Sequence, residues 1–231
     1  MKNHSNSLLK GILKMRSTRE EIISAVEQNK IIVIARGLKR DELIKTVAAM
    51  EKGGIRLVEV TFDQSGKISD EETAANIAAL CEAFGKTMHV GAGTVMTEEQ
   101  AQAAYDAGAE FIISPDCYEP VIRKTRELGM VSMPGCFTPT EAAMAHRWGA
   151  DYVKLFPNSE VKLSYLKALM APLSHIKFLS VGGVNENNIR ECLDAGACGV
   201  GIATGIVNKK LIAEGRYNEI TELARLYTSH I

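Results

Sequence analysis

Two charged residues interrupt strands that are otherwise apolar. Asp151-Tyr152-Val153-Lys154-Leu155-Phe156-Pro157 reads as a short strand closed by a proline and preceded by the helix-ending pair Trp148-Gly149. Side chains alternate along a strand, so Tyr152, Lys154 and Phe156 share one face while Val153 and Leu155 share the other. Neither face has the polarity of a solvated surface, yet one carries an ammonium, which is costly to bury unless paired or deprotonated. A deprotonated lysine is a nucleophilic amine. An ordinary lysine has a pKa of about 10.4, leaving about 1 in 2,500 as free amine at neutral pH. Holding it neutral there takes a shift of about 3 units, or roughly 4–5 kcal/mol, and apolar burial supplies up to about 3–5 units. The alternative is an edge strand whose lysine snorkels to water. Arg56-Leu57-Val58-Glu59-Val60-Thr61 is the second such stretch. Glu59 suits proton transfer; as half of a buried ion pair with Lys154 it would be a weak stabiliser. A carboxylate beside the lysine would also hold the proton on the amine, a conflict that a water or substrate between the two would soften.

The elements that must position these groups alternate regularly. Strands are expected at Lys30–Ala35, Arg56–Thr61, Met88–Gly91, Glu110–Pro115, Met130–Met133, Asp151–Phe156, Ile176–Ser180 and Ala197–Ile202, with helices between them. Thr18, Thr97 and the Thr138-Pro139-Thr140-Glu141 capping box open helices, Ala92-Gly93-Thr94 reads as a tight turn, and Asn185 is expected to cap the helix to Asp194. Gly54-Ile55-Arg56, Gly108-Ala109-Glu110, Gly149-Ala150-Asp151 and Gly196-Ala197-Cys198 each end a helix and launch a strand. This rhythm predicts an α/β fold, a (β/α)8 TIM barrel over 18–231 with an additional N-terminal helix, and a short N-terminal extension over 1–17. An open doubly wound sheet is the alternative, but strand one is not followed by G-x-G-x-x-G.

Composition narrows the chemistry. The 27 basic and 28 acidic residues nearly cancel, giving no electrostatic case for nucleic acid or an anionic membrane surface. No apolar run approaches the roughly 18–20 residues of a membrane span. Leu8, Leu9, Ile12, Leu13 and Met15 are helically spaced but broken by Lys10 and Gly11, which fits a short helix better than a cleaved signal. Five cysteines, at 81, 117, 136, 192 and 198, include no C-x-x-C and suit a reducing cytoplasm. The five scattered histidines give little support for a metal site, and nothing calls for a cofactor.

In a barrel the reacting groups stand at the C-terminal ends of strands. Those ends carry Arg36, Glu59 with Thr61, Thr94, Ser114-Pro115, Pro134-Gly135, Lys154 with Phe156, Gly182-Gly183 and the run from Gly201 to Thr204. Val58-Glu59-Val60-Thr61, Gly91-Ala92-Gly93-Thr94-Val95, Ile113-Ser114-Pro115, Pro134-Gly135, Val153-Lys154-Leu155-Phe156-Pro157 and Gly182-Gly183-Val184 follow one another in register. Over about residues 19 to 212 the chain resembles the 2-dehydro-3-deoxy-6-phosphogluconate and 4-hydroxy-2-oxoglutarate aldolases, class I lyases on a (β/α)8 barrel.

That resemblance implies a Schiff base between Lys154 and the 2-oxo group of a small-molecule oxo acid, with Glu59 as general acid–base. It also implies Thr94 at the oxo-acid end, Phe156 and Pro115 around the imine, a homotrimer and a cytoplasmic location. The products would be pyruvate and an aldehyde. The family's arginine shortly after the glutamate is Asp63 here, and Arg36, whose forked donors suit a carboxylate, is expected to take its place. Gly182 and Gly183, followed by the Asn185-capped helix, are expected to offer N–H groups to phosphate, unless they serve only a tight turn. The family's Thr-Gly-Gly is Val181-Gly182-Gly183, and its serine after strand eight is Ala203, next to Thr204. These losses of hydroxyl weaken the expectation of a phosphorylated substrate. A phosphosugar isomerase or epimerase, and a non-catalytic barrel binding oxo acids or phosphate, are the competing readings; a metal-dependent aldolase has less behind it.

Overall fold

The apolar alternation of the strands closes on itself. The computed structural model describes residues 16–231, so the helix expected within the N-terminal extension lies outside the described residues. The elements are α1 (Arg19–Asn29), β1 (Ile31–Ala35), α2 (Arg40–Lys52), β2 (Leu57–Thr61), α3 (Asp70–Phe84), β3 (His89–Gly93), α4 (Glu98–Asp106), β4 (Phe111–Ile113) and α5 (Glu119–Glu127). They continue with β5 (Val131–Met133), β6 (Gly135–Cys136), α6 (Pro139–Arg147), β7 (Val153–Leu155), α7 (Leu163–Met170), β8 (Phe178–Val181), α8 (Ile189–Asp194), β9 (Gly199–Ile202), α9 (Lys209–Ala213) and α10 (Tyr217–Thr228). All strand pairings are parallel, in the order β5-β4-β3-β2-β1-β9-β8-β7-β6.

The structure has nine strand segments where the sequence predicts eight strands, because the fifth strand is divided at Pro134, which has no N–H to donate. Its first half pairs with β4 and its second with β7. Tyr152 N–H to Ser132 O (3.2 Å), Lys154 N–H to Pro134 O (2.9 Å) and Phe156 N–H to Cys136 O (3.2 Å) bridge the division and join the two ends of the sheet. The result is the expected barrel.

Alternation sorts the strand residues between two cores. Ile32, Leu57, Phe111, Ile113, Val131, Met133, Tyr152, Leu179 and Val181 fill the interior. Val33, Val58, Val60, Val90 and Val200 face the helices on one flank, and Val153, Leu155 and Phe178 on the other. Helix α1 adds Ile22 and Val26 to the interior cluster and so plugs one end of the barrel. Its Thr18 and Glu21 form a capping box, and Arg19 pairs with the covered carboxylate of Asp151 just before the lysine strand. Tyr152 donates its O–H to Ile23 O at 3.2 Å, tying the plug to the same strand.

The four helix-ending glycines named above share one geometry. Gly54, Gly108, Gly149 and Gly196 have φ of 95°, 100°, 102° and 108°, and the following residue donates back to a carbonyl five positions earlier in each case. Two expectations are corrected. Gly93 is the last residue of β3 rather than part of a turn, and α8 starts at Ile189 because Asn188, not Asn185, precedes it. Asn185 instead sits in the preceding turn, its N–H donating to Asn188 Oδ1 and its Oδ1 accepting from Asn187 N–H.

Candidate active site

Glu59 and Lys154 both point inward at the open end of the barrel, in register with glycines on the neighbouring strands. Glu59 pairs with Gly91 across β2–β3, and Lys154 with Gly135 across β6–β7. The inward glycines of β3 make room for large neighbours. A Cβ on Gly91 would come within 2.2 Å of the Phe111 ring, and one on Gly93 within 2.4 Å of Glu59 Oε1. The Gly-Ala-Gly run is therefore a steric slot, with the glutamate carboxyl lying over the second glycine.

The two charged side chains are 2% and 6% exposed, so the snorkelling alternative for Lys154 is excluded. They line one small cavity of about 10 Å³ together with Ile32, Ile34, Ile113, Leu179, Val181 and Gly201. Neither forms a salt bridge among the described residues, and Glu59 Oε2 has no hydrogen-bond partner there. Burial pushes the Glu59 carboxyl up from 4.5 to about 7, against the opposing pull of Lys154 and Arg36. Burial lowers the Lys154 ammonium; Glu59 opposes that shift and Arg36 adds to it. The ammonium carbon chain ends over Phe156, with Nζ 4.5 Å from the ring centroid. An acid that exchanges its proton near neutrality and an amine biased toward its neutral form thus face one apolar space.

Arg36 follows β1 and donates to Thr94 Oγ1 at 3.1 Å. Thr94 has φ of 54°, an uncommon conformation for a β-branched residue, and it follows directly on the Gly93 slot. Asp63 does something else. Its carboxylate accepts from Ser65 Oγ and from the N–H groups of Ser65, Lys67 and Ile68, and these bonds hold its pKa down to about 2. It folds the loop after β2 and is fully engaged in doing so.

A wider cleft of about 600 Å³ opens beside the small cavity, and Ile34, Val181 and Gly201 line both. Arg36, Phe156, Gly182, Gly183, Ala203 and Thr204 meet on its walls as the sequence predicts. Gly182 and Gly183 have φ of 97° and 73°, and a Cβ on Gly183 would come within 2.7 Å of Ser159 Cβ, so this turn requires glycine on two counts. Helix α8 starts at Ile189, six residues after Gly183. Pro115 lines neither space; its carbonyl packs against Gly135, where an added Cβ would lie 2.3 Å away. Sequence reasoning passed over Ile34, Ile113 and Leu179, whose signal is the inward alternation of their strands. It also passed over Glu186, Lys209 and Tyr227, which reach the cleft from turns and helices.

The model of the KDPG and KHG aldolase family matches residues 22–223. The chain belongs to this family. A relative, the 2-dehydro-3-deoxy-6-phosphogalactonate aldolase of Escherichia coli (strain K12), is 36% identical over 177 residues, 76% of this chain and 83% of that protein. A solved structure described as native KDPGal aligns with a TM-score of 0.77 and 34% identity, over 87% of this chain and 93% of that one. The KDPG aldolase from Legionella pneumophila, solved with pyruvate captured as a covalent carbinolamine, aligns with a TM-score of 0.77 and 26% identity over 85% and 93%. As a KDPG and KHG aldolase family member the chain is a carbon–carbon lyase, which sets aside the isomerase and non-catalytic readings.

Proposed function

We propose that the chain cleaves a 2-dehydro-3-deoxy-6-phospho sugar acid into pyruvate and glyceraldehyde 3-phosphate through a Schiff base on Lys154. The observation that carries this is the unpaired placement of Lys154 and Glu59 on one apolar cavity, each biased toward its neutral form. The free amine attacks the 2-oxo carbon, and Glu59 protonates the departing carbinolamine hydroxyl. The resulting iminium draws electrons from the C3–C4 bond as the Glu59 carboxylate takes up the C4 hydroxyl proton. Cleavage leaves the aldehyde and a pyruvate enamine; Glu59 returns a proton to C3, and water releases pyruvate and regenerates the amine. Arg36 and Thr94 hold the carboxylate end, and Phe156 shields the imine from water.

The test is incubation with pyruvate and borohydride followed by intact mass measurement. One reduced pyruvyl adduct is expected on the chain and none on Lys154→Met; an unmodified wild-type chain would overturn the reading. Relatives named for the phosphogalactonate substrate support that C4 epimer, and pyruvate release from both epimers decides it. The second reading is cleavage of 4-hydroxy-2-oxoglutarate to pyruvate and glyoxylate. It is favoured by Val181 and Ala203, which give the cleft no side-chain hydroxyls. Comparing pyruvate release from the two substrates separates them.

A further inference from the structure

The cleft beside the catalytic cavity is walled mainly by apolar and glycine residues, with few charged groups. Arg36 is committed to Thr94 at the oxo-acid end. Glu186 accepts the O–H of Tyr227 at 2.7 Å, which keeps its carboxylate in the low, ionised range. Lys209 is the remaining cation. It has no salt bridge and no side-chain hydrogen bond among the described residues, and its Nζ lies 3.7 Å from where a Cβ on Gly37 would stand. The ammonium thus lies over the rim of β1, beside the Arg36-Gly37 turn and on the cleft wall, while solvent still reaches the side chain. An anionic group entering a cleft that already holds an ionised Glu186 requires a facing positive charge. The catalytic cavity, at about 10 Å³, has room for little more than one water-sized group, and it shares Ile34, Val181 and Gly201 with the cleft of about 600 Å³ that must take the rest of any substrate.

We propose that Lys209 determines specificity, its ammonium binding the phosphate at the end of the substrate remote from the oxo group. This rests on the aldolase reading above and deepens it: a point charge does the work that hydroxyl donors at positions 181 and 203 would otherwise do. Thr204 is the neighbouring hydroxyl available to the same phosphate.

The test compares kcat/KM for the 6-phospho sugar acid with kcat/KM for 4-hydroxy-2-oxoglutarate in wild type, Lys209→Met, Lys209→Arg and Lys210→Met. A charge-assisted contact makes the ratio fall about tenfold or more in Lys209→Met, chiefly through KM of the phosphorylated substrate. Lys209→Arg keeps most of the preference, as does Lys210→Met, whose side chain lies outside the cleft lining. Inorganic phosphate inhibits wild type competitively and Lys209→Met about tenfold more weakly. An unchanged ratio in Lys209→Met, an equal loss in Lys210→Met, or no cleavage of the phosphorylated substrate by wild type overturns the proposal. The pyruvate–borohydride adduct is scored on every variant. Its absence from wild type defeats the aldolase reading, whereas its presence with an unchanged ratio defeats only the role of Lys209.

Discussion

Burial without a direct partner acts on Glu59 and Lys154 in opposite senses, and the same burial has a cost in stability. The Glu59 carboxyl is raised from 4.5 to about 7, so between those pH values the folded chain holds a proton that the unfolded chain has released. Folding stability therefore falls as pH rises through that window, by roughly 3 kcal/mol if the whole shift is realised. Glu59→Gln removes the titration: urea denaturation at pH 8 is expected to show the variant about 2–3 kcal/mol more stable than wild type, and at pH 4.5 nearly equal to it. The same variant is expected to lose about 10²–10⁴-fold in kcat, together with the limb of the pH–rate profile near 7. Gly93→Ala tests placement rather than proton exchange. A methyl 2.4 Å from Glu59 Oε1 must push the carboxyl aside, and a displacement of about 1 Å is expected to cost about 10²-fold in kcat while pyruvate still traps on Lys154. Both charged residues were legible in the sequence because each breaks an apolar strand. Lys209 was not, since an exposed lysine at the start of a short helix has no local pattern that separates it from Lys210.

At the scale of elements, what could be read was what repeats. Period-two alternation placed Tyr152 and Phe156 on the interior face of the lysine strand and Val153 and Leu155 on the helix-facing side, and Thr18, Thr97 and Thr138 cap their helices as read. Misreadings fell where a boundary depends on a tertiary partner. Gly93 belongs to β3 because β2 pairs with it at Thr61, and Asn185 Oδ1 accepts from Asn187 N–H in the turn ahead of α8 rather than from α8 itself. Helix α1 is the element with the clearest energetic role, since Ile22 packs into the barrel interior at 1% exposure. Ile22→Ala leaves a cavity under the plug and is expected to destabilise by about 2–5 kcal/mol in chemical denaturation. Gly54→Ala probes the helix-to-strand joint. Its nearest neighbour would be 3.4 Å away, so any loss there, expected at about 1–3 kcal/mol, comes from the positive φ and not from crowding.

For the whole molecule, the barrel leaves large apolar side chains on the outside of its fourth and fifth βα units. Tyr118 is 48% exposed, and Phe137 and Met144 are each 36% exposed. Phe137 stacks on Tyr165 with ring centroids 5.8 Å apart, and the Tyr165 O–H donates to Phe137 O at 2.6 Å, so the ring is held in place although solvent reaches it. A fixed, exposed aromatic loses little side-chain freedom on being covered, which favours its use at a contact between copies. The sequence carries no stripe that identifies such a surface, because Phe137 and Tyr165 come from separate βα units and are brought together only by the fold. Together with the family resemblance they lead us to propose a homotrimer with cyclic symmetry, in which each protomer covers the Phe137 region of a neighbour. Light scattering on the intact chain is expected to give about 75 kDa, three times 25.1 kDa. Phe137→Asp places a charge in the contact and is expected to lower that mass toward the monomer while leaving the far-ultraviolet circular dichroism of the barrel unchanged. A monomeric mass for wild type removes the trimer. A trimeric mass that survives Phe137→Asp instead moves the contact to another face.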